Sequence, residues 1–114
     1  MESIIILLLQ ARTLFHLKHL QTRNFNEHII LNELYESIVN GLDTLAEVYQ
    51  GKNGNMNITN LPGISLNGDS VNHAIEIRKD LEDYRRSETN DQLNAILDEI
   101  INDFSSAIYK LRMH

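Results

Sequence analysis

Apolar residues recur along this chain at helical spacing, in four stretches divided by two short polar turns and one long polar connection. The first stretch runs from about residue 3 to residue 21, with Ser3 placed to cap it. Its apolar positions, Leu7, Leu8, Ala11, Leu14, Phe15 and Leu17, cover a broader surface than one core needs, which points to a subunit contact. The second opens with Asn24-Phe-Asn-Glu27, a capping-box pattern, and carries Leu31, Leu34, Tyr35, Ile38, Leu42, Leu45 and Tyr49 as one stripe until Gly51 stops it after Gln50. From Gly51 to Gly68 there is no sustained period, because glycines, Pro62 and scattered asparagines interrupt it. Within that connection Met56-Asn-Ile-Thr-Asn-Leu61 is expected to form a short helical turn. The third helix is expected from Asp69 to Arg86, using Val71, Ala74, Ile75, Leu81 and the aliphatic stem of Arg78. The fourth opens with Thr89-Asn-Asp-Gln92, a second capping box, and shows the cleanest stripe: Leu93, Ile96, Leu97, Ile100, Ile101, Phe104, Ile108 and Leu111. No stretch reads as a strand.

Connection lengths set the architecture. The links near residues 21–24 and 86–89 are too short for anything but antiparallel hairpins, whereas the long middle link can cross the bundle and leave helices two and three parallel. The expectation is an all-α, ferritin-like four-helix bundle with a long crossover between helices 2 and 3. Residues 1–114 form one domain, since a chain of this length supports a single core. With 42% hydrophobic and 23% charged residues it has the balance of an ordered globular protein. The run Ile4 to Leu9 follows Glu2 rather than positive charge and is too short to span a bilayer. It is therefore read as the start of a buried helix in a soluble protein of the cytoplasm, or one associated with a virion.

Composition then limits the chemistry. The absence of cysteine excludes disulfides, thiolate zinc sites, iron–sulfur clusters and cysteine nucleophiles, so any metal must be held by imidazole and carboxylate. A formal charge of −6 without a lysine-rich arm disfavours DNA binding. The candidate ligands are His16, His19, His28, Asp43 and Glu47. On a helical projection with His28 at zero, Asp43 falls near ~60° and Glu47 near ~100°, while the apolar stripe centres near ~300°. The three line a second face. At ~1.5 Å rise per residue, however, His28 lies about 22 Å from Asp43 along the axis, so one helix cannot bring them to one ion. A second copy running antiparallel can, and a two-fold dimer does so twice.

The segment His19-Leu-Gln-Thr-Arg-Asn-Phe25, followed by Asn-Glu-His28, Tyr35, Asp43-Thr-Leu-Ala-Glu47 and Gly51, resembles the ferroxidase segment of the ferritin-like DNA-binding proteins from starved cells. Tyr49-Gln-Gly-Lys-Asn-Gly54 is similar to a string in a small ferritin-like family found in bacteriophage genomes. The resemblance covers about residues 10 to 54. It implies iron held between two-fold related subunits, with two histidines from one and an Asp and a Glu from the other. His28 then matches the second histidine, and Asp43 and Glu47 the carboxylate pair. His19 stands where that family has His-Trp, with Leu20 replacing Trp, while His16 lies twelve residues before His28, as in the family's longer loop. Three apart on a helix, either can reach the site, and His19 is the narrow choice. The resemblance further implies a homo-oligomer built from two-fold dimers, up to a dodecameric shell.

Such a donor set suits Fe(II) and its oxidation by peroxide or dioxygen, and zinc fits it as well. An intra-bundle di-iron site is excluded, because no Glu-x-x-His occurs in the chain. His73-x-x-Glu76 has the reverse order and is read as a solvated pair. Arg78, Lys79, Arg85 and Arg86 are read as partners of Asp80, Glu82 and Asp83. Gly51-Lys-Asn-Gly54 lacks the spacing of a phosphate loop. Two functions of different class follow: an iron-oxidising ferritin-like protein active in iron storage or peroxide removal, and a non-catalytic helical assembly protein, of phage origin, that keeps the bundle without metal turnover.

Overall fold

A computed structural model describes residues 1–113, which form four α-helices and no strand: α1 (Glu2–Gln21), α2 (Phe25–Asn53), α3 (Ser70–Ser87) and α4 (Asp91–Leu111). Three of them start where a short polar side chain takes a free N–H. The side chain of Asn24 accepts from Glu27 N–H, that of Asp69 from Asn72 N–H, and that of Asn90 from Leu93 N–H. The fourth helix is therefore capped by Asn90 and not Thr89, because the Glu88 carboxylate takes the N–H groups of both Thr89 and Asn90. At the amino terminus Ser3 is already helical; the Met1 carbonyl accepts from Ile4 and Ile5 and no side chain caps α1. Gly51 does not end α2. Glycine weakens a helix without breaking it, and the chain leaves only at Gly54, whose φ of 83° favours glycine. The turn expected over residues 56–61 does not form.

The direction of each helix follows from how the 16 residues between Asn53 and Ser70 travel. Asn57 N–H donates to the Glu2 carboxylate, the Gln10 amide to the Pro62 carbonyl, and the Lys18 ammonium to the Gly68 carbonyl. These bonds lead the connection along α1 from its first turn to its last. At the far end the Ser70 hydroxyl donates to the Glu27 carboxylate at 3.0 Å, so α3 begins where α2 begins and runs parallel to it. The backbones of α1 and α4 each lie against those of α2 and α3, whereas the diagonal pairs α1/α4 and α2/α3 do not. Every neighbouring pair is thus antiparallel, as expected from the connection lengths. No described helix is long and apolar enough to cross a membrane.

Phe15 of α1 and Phe104 of α4 meet edge to face across the diagonal, with centroids 6.0 Å apart, and both are fully buried with Leu8, Leu31, Ile38, Leu45, Leu81, Leu97 and Ile100. The stripes expected on α2 and α4 supply most of this core. On α3 the buried line is Ser70, Ala74, Ile77 and Leu81, so that helix is turned from the expected face and Ile75 stands at the core's edge. Between α2 and α4, Gly41 permits a close approach: a Cβ there would sit 2.6 Å from Ile100 Cγ1, and Ile100 is only 2% exposed.

The α3–α4 turn is fastened by charge. Arg85 donates twice to the Asp98 carboxylate, at 2.8 and 3.1 Å, and this holds Asp98 below the usual carboxylate range. Burial raises the Glu88 carboxyl, but donation from Asn90 N–H, the Tyr84 hydroxyl and Thr89 N–H outweighs it and leaves Glu88 lowered. Burial and the bond to Glu88 push Tyr84 up to about 12.

Two outcomes are expected. Gly41→Ala should destabilise the fold by about 1–3 kcal/mol through overpacking against Ile100, read from the urea midpoint. Because Glu88 and Asp98 are lowered in the folded state, their contribution is complete above the unfolded values and is lost as pH falls through the folded ones. Unfolding measured from neutral pH down to about pH 3 should therefore show an acid-side loss of stability that is smaller in Glu88→Gln.

Candidate functional site

The link between α1 and α2 is only Thr22 to Asn24, which forces the last turn of one helix against the first turn of the next. Glu27 steadies this corner, accepting from Thr22 Oγ1 at 3.2 Å and from Ser70 on α3. The Asn24–Glu27 capping box is therefore half made: Asn24 caps Glu27 N–H, while the Glu27 carboxylate faces outward to two hydroxyls instead of returning to Asn24.

Inside the corner His19 and His28 clasp each other. His19 Nδ1 lies 2.6 Å from the His28 carbonyl, and His28 Nδ1 lies 2.8 Å from the His19 carbonyl. A carbonyl only accepts, so each Nδ1 carries the hydrogen, and in the neutral ring the lone pair is on Nε2. This is the orientation that a backbone carbonyl gives to metal-binding histidines. The rings stack with centroids 3.8 Å apart and planes at 18°. An imidazole coordinates in its own plane at ~2.0–2.1 Å, so two nearly parallel planes offset in this way do not converge on one ion. As arranged, His19 and His28 cannot chelate the same metal.

His16 lies one turn back on α1, outside the clasp. Its ring stacks on Tyr35 at 4.3 Å and stands 6.2 Å from that of His19. The Tyr35 hydroxyl donates to Asn32 Oδ1 at 2.9 Å, and its ring meets His19 edge-on at 5.5 Å. His19 is buried, at 8% exposure, while His16 and His28 are half-buried. Around them stand the exposed side chains of Leu20, Phe25 and Ile29, an apolar rim at this end of the α1–α2 pair.

Asp43 and Glu47 sit farther along α2, exposed and without a hydrogen bond or ion pair among the described residues. The chain thus gathers the three histidines at one end of the α1–α2 pair and leaves the carboxylates apart from them. Among the described residues no group of three or more His, Asp or Glu side chains is arranged to hold a metal ion.

His73 differs from its expected solvated pairing with Glu76. The crossover covers it, so that Nε2 is buried without a hydrogen-bond partner beside Gly68, on a cavity of about 190 Å³ walled by Leu7, Ala11, Leu14, Ile64 and Ile77. Of the basic group on α3, Arg86 pairs with Asp83 and Arg78 with Glu82 at 3.8 Å, but Arg85 reaches Asp98 on α4. The sequence carried no signal for the clasp, because ring-to-carbonyl bonds leave no residue pattern beyond two histidines flanking a short turn.

The profile described as "Family of unknown function (DUF5856)" matches residues 19–111, taking in His19, His28, Asp43 and Glu47. No curated protein and no solved structure matches the chain.

The clasp separates the first two histidines by experiment. His19→Ala should cost about 1–3 kcal/mol, having lost a buried ring, its hydrogen bond and its stack, whereas His16→Ala should cost less than about 1 kcal/mol. Denaturant unfolding of the two variants measures the difference.

Proposed function

We propose that this chain, which belongs to the DUF5856 family of unknown function, is a ferritin-like protein that binds and oxidises Fe(II) at sites shared by two copies in a two-fold dimer. The observation that carries this reading is the orientation of the imidazoles. Backbone carbonyls pin Nδ1 of His28 and His19 and leave Nε2 as the free donor, at the opposite end of the α1–α2 pair from an unpaired Asp43/Glu47 couple. An antiparallel partner supplies to each histidine end the carboxylates that its own helix keeps about 22 Å away. The apolar breadth of α1 and the exposed Leu20, Phe25 and Ile29 support burial of this face against a second copy. The crossover topology also supports the ferritin-like reading.

Within the site we assign His16, rather than His19, as the companion of His28. His19 stacks parallel to His28, so that the two rings do not converge on one ion, while His16 makes no hydrogen bond among the described residues. Iron is the substrate. Two neutral imidazoles and two carboxylates hold Fe(II), favour the ferric state through anionic oxygen and leave positions open to the oxidant. Two Fe(II) yield one electron each to one peroxide, which takes up two protons and leaves as two waters. Zinc competes for the same donors.

Anaerobic Fe(II) titration with mass determination, followed by peroxide, tests the proposal. A dimer or larger assembly should bind and oxidise iron. Asp43→Ala with Glu47→Ala, and separately His16→Ala, should weaken binding by at least about tenfold. A monomer, or binding indifferent to the carboxylates, would refute it. The second reading, a non-catalytic helical assembly protein, is favoured by one observation: His19 and His28 hold the α1–α2 corner through bonds to each other's carbonyls, which is a structural role. A stable dimer that ignores iron would return that reading.

A further inference from the structure

Three Asn-Gly pairs occur in the chain: Asn40-Gly41, Asn53-Gly54 and Asn67-Gly68. Such pairs are chemically labile. The glycine backbone nitrogen attacks the asparagine side-chain carbonyl, a C–N bond forms, ammonia leaves, and water opens the resulting five-membered succinimide. The product is aspartate or, when the main chain is rerouted through the former side-chain carbonyl, isoaspartate. Glycine accelerates the step because no side chain shields its nitrogen. The fold can still prevent it, by engaging that nitrogen in a hydrogen bond or by fixing the backbone so that it cannot bend back onto the side chain.

α2 protects two of the three pairs. Gly41 lies inside the helix, its N–H within the hydrogen-bond ladder and Ile100 packed against it. At the helix end Gly54 N–H donates to the Gln50 carbonyl at 2.9 Å, and the Asn53 amide donates to the Tyr49 carbonyl at 3.1 Å, so nucleophile and electrophile are both held. Neither restraint exists at the third pair. Asn67 and Gly68 are exposed and non-helical, Gly68 takes a φ of 99°, and its N–H meets no acceptor among the described residues. The one bond at Asn67 runs from its backbone N–H to Ser65 Oγ at 3.2 Å, which leaves the side chain free. The other asparagines of the crossover, Asn55, Asn57 and Asn60, precede Met, Ile and Leu, whose bulk hinders the attack.

We propose that Asn67 is a site of spontaneous deamidation, the one Asn-Gly pair that the folded chain leaves open, and that its conversion loosens the end of the crossover. The Gly68 carbonyl accepts from Lys18 Nζ at 2.6 Å, Gly68 lies beside His73 Nε2, and Asp69 caps α3. Isoaspartate inserts a methylene into the main chain one residue before these contacts. Its carboxylate also competes with the Gly68 carbonyl for Lys18.

The full-length protein, aged at mildly alkaline pH and mapped by peptide mass, gives the test. The peptide holding Asn67 should become about one mass unit heavier at least about tenfold faster than those holding Asn40 or Asn53, and the three rates should converge in denaturant. Asn67→Gln should abolish the fast event. Equal rates at the three pairs in the folded protein, or no gain at Asn67 while the denatured chain reacts, would overturn the assignment. The aged form, separated by its added negative charge, should show faster amide exchange over residues 54–69 than the fresh form. Unchanged exchange would overturn the loosening.

Discussion

The return of the crossover along α1 is the constraint on which the arrangement of this bundle rests. Because that segment travels from the first turn of α1 to its last before α3 begins, α2 and α3 lie parallel on a diagonal and all four neighbouring pairs are antiparallel. Along the way Met56, Ile58 and Leu66 rest half-buried against the core. Three side-chain-to-backbone bonds tether it to α1, and one of them ends at Gly68, beside the residue whose chemistry the fold leaves unguarded. The crossover is therefore the topological device of the protein, held by three exposed polar tethers and three half-buried apolar side chains.

The two short corners are closed by different chemistry. At the α3–α4 turn Glu88 accepts from two backbone N–H groups and the Tyr84 hydroxyl, so that closure depends on a carboxylate staying ionised. At the α1–α2 turn two imidazoles exchange bonds with each other's carbonyls. The second arrangement leaves a nitrogen lone pair on each ring available to a further partner. In the proposed reading one corner is structural alone, whereas the other is structural through His19 and chemical through His28 and His16. Tyr35 packs against both histidines of α1 and links the clasp to His16.

Much of the fold was legible as pattern. The four helices, the antiparallel hairpins and the stripes of α2 and α4 follow from the period of apolar residues and the lengths of the links, quantities that need no knowledge of neighbours. Features that depend on a neighbour were not legible. The close approach of Ile100 to Gly41 shows only when α2 and α4 are packed together, and Ile77 rather than Ile75 enters the core because α3 turns to meet α1 and α4. Gly51 offered a stop signal, yet an ordinary helical conformation carries α2 through it to Gly54.

The same division holds at the candidate site. By itself the sequence named His16, His19, His28, Asp43 and Glu47 as candidate ligands, and helical rise alone showed that His28 and the Asp43/Glu47 pair cannot serve one ion within one chain. It did not separate His16 from His19, because two residues three apart on a helix differ only in what stands opposite them. Tertiary structure sets their surroundings apart: His19 faces His28 across the α1–α2 corner, and His16 faces Tyr35. Periodicity and rise are properties of the backbone and are written in residue order. The ring planes and the partners of individual nitrogens arise only when two helices are brought together.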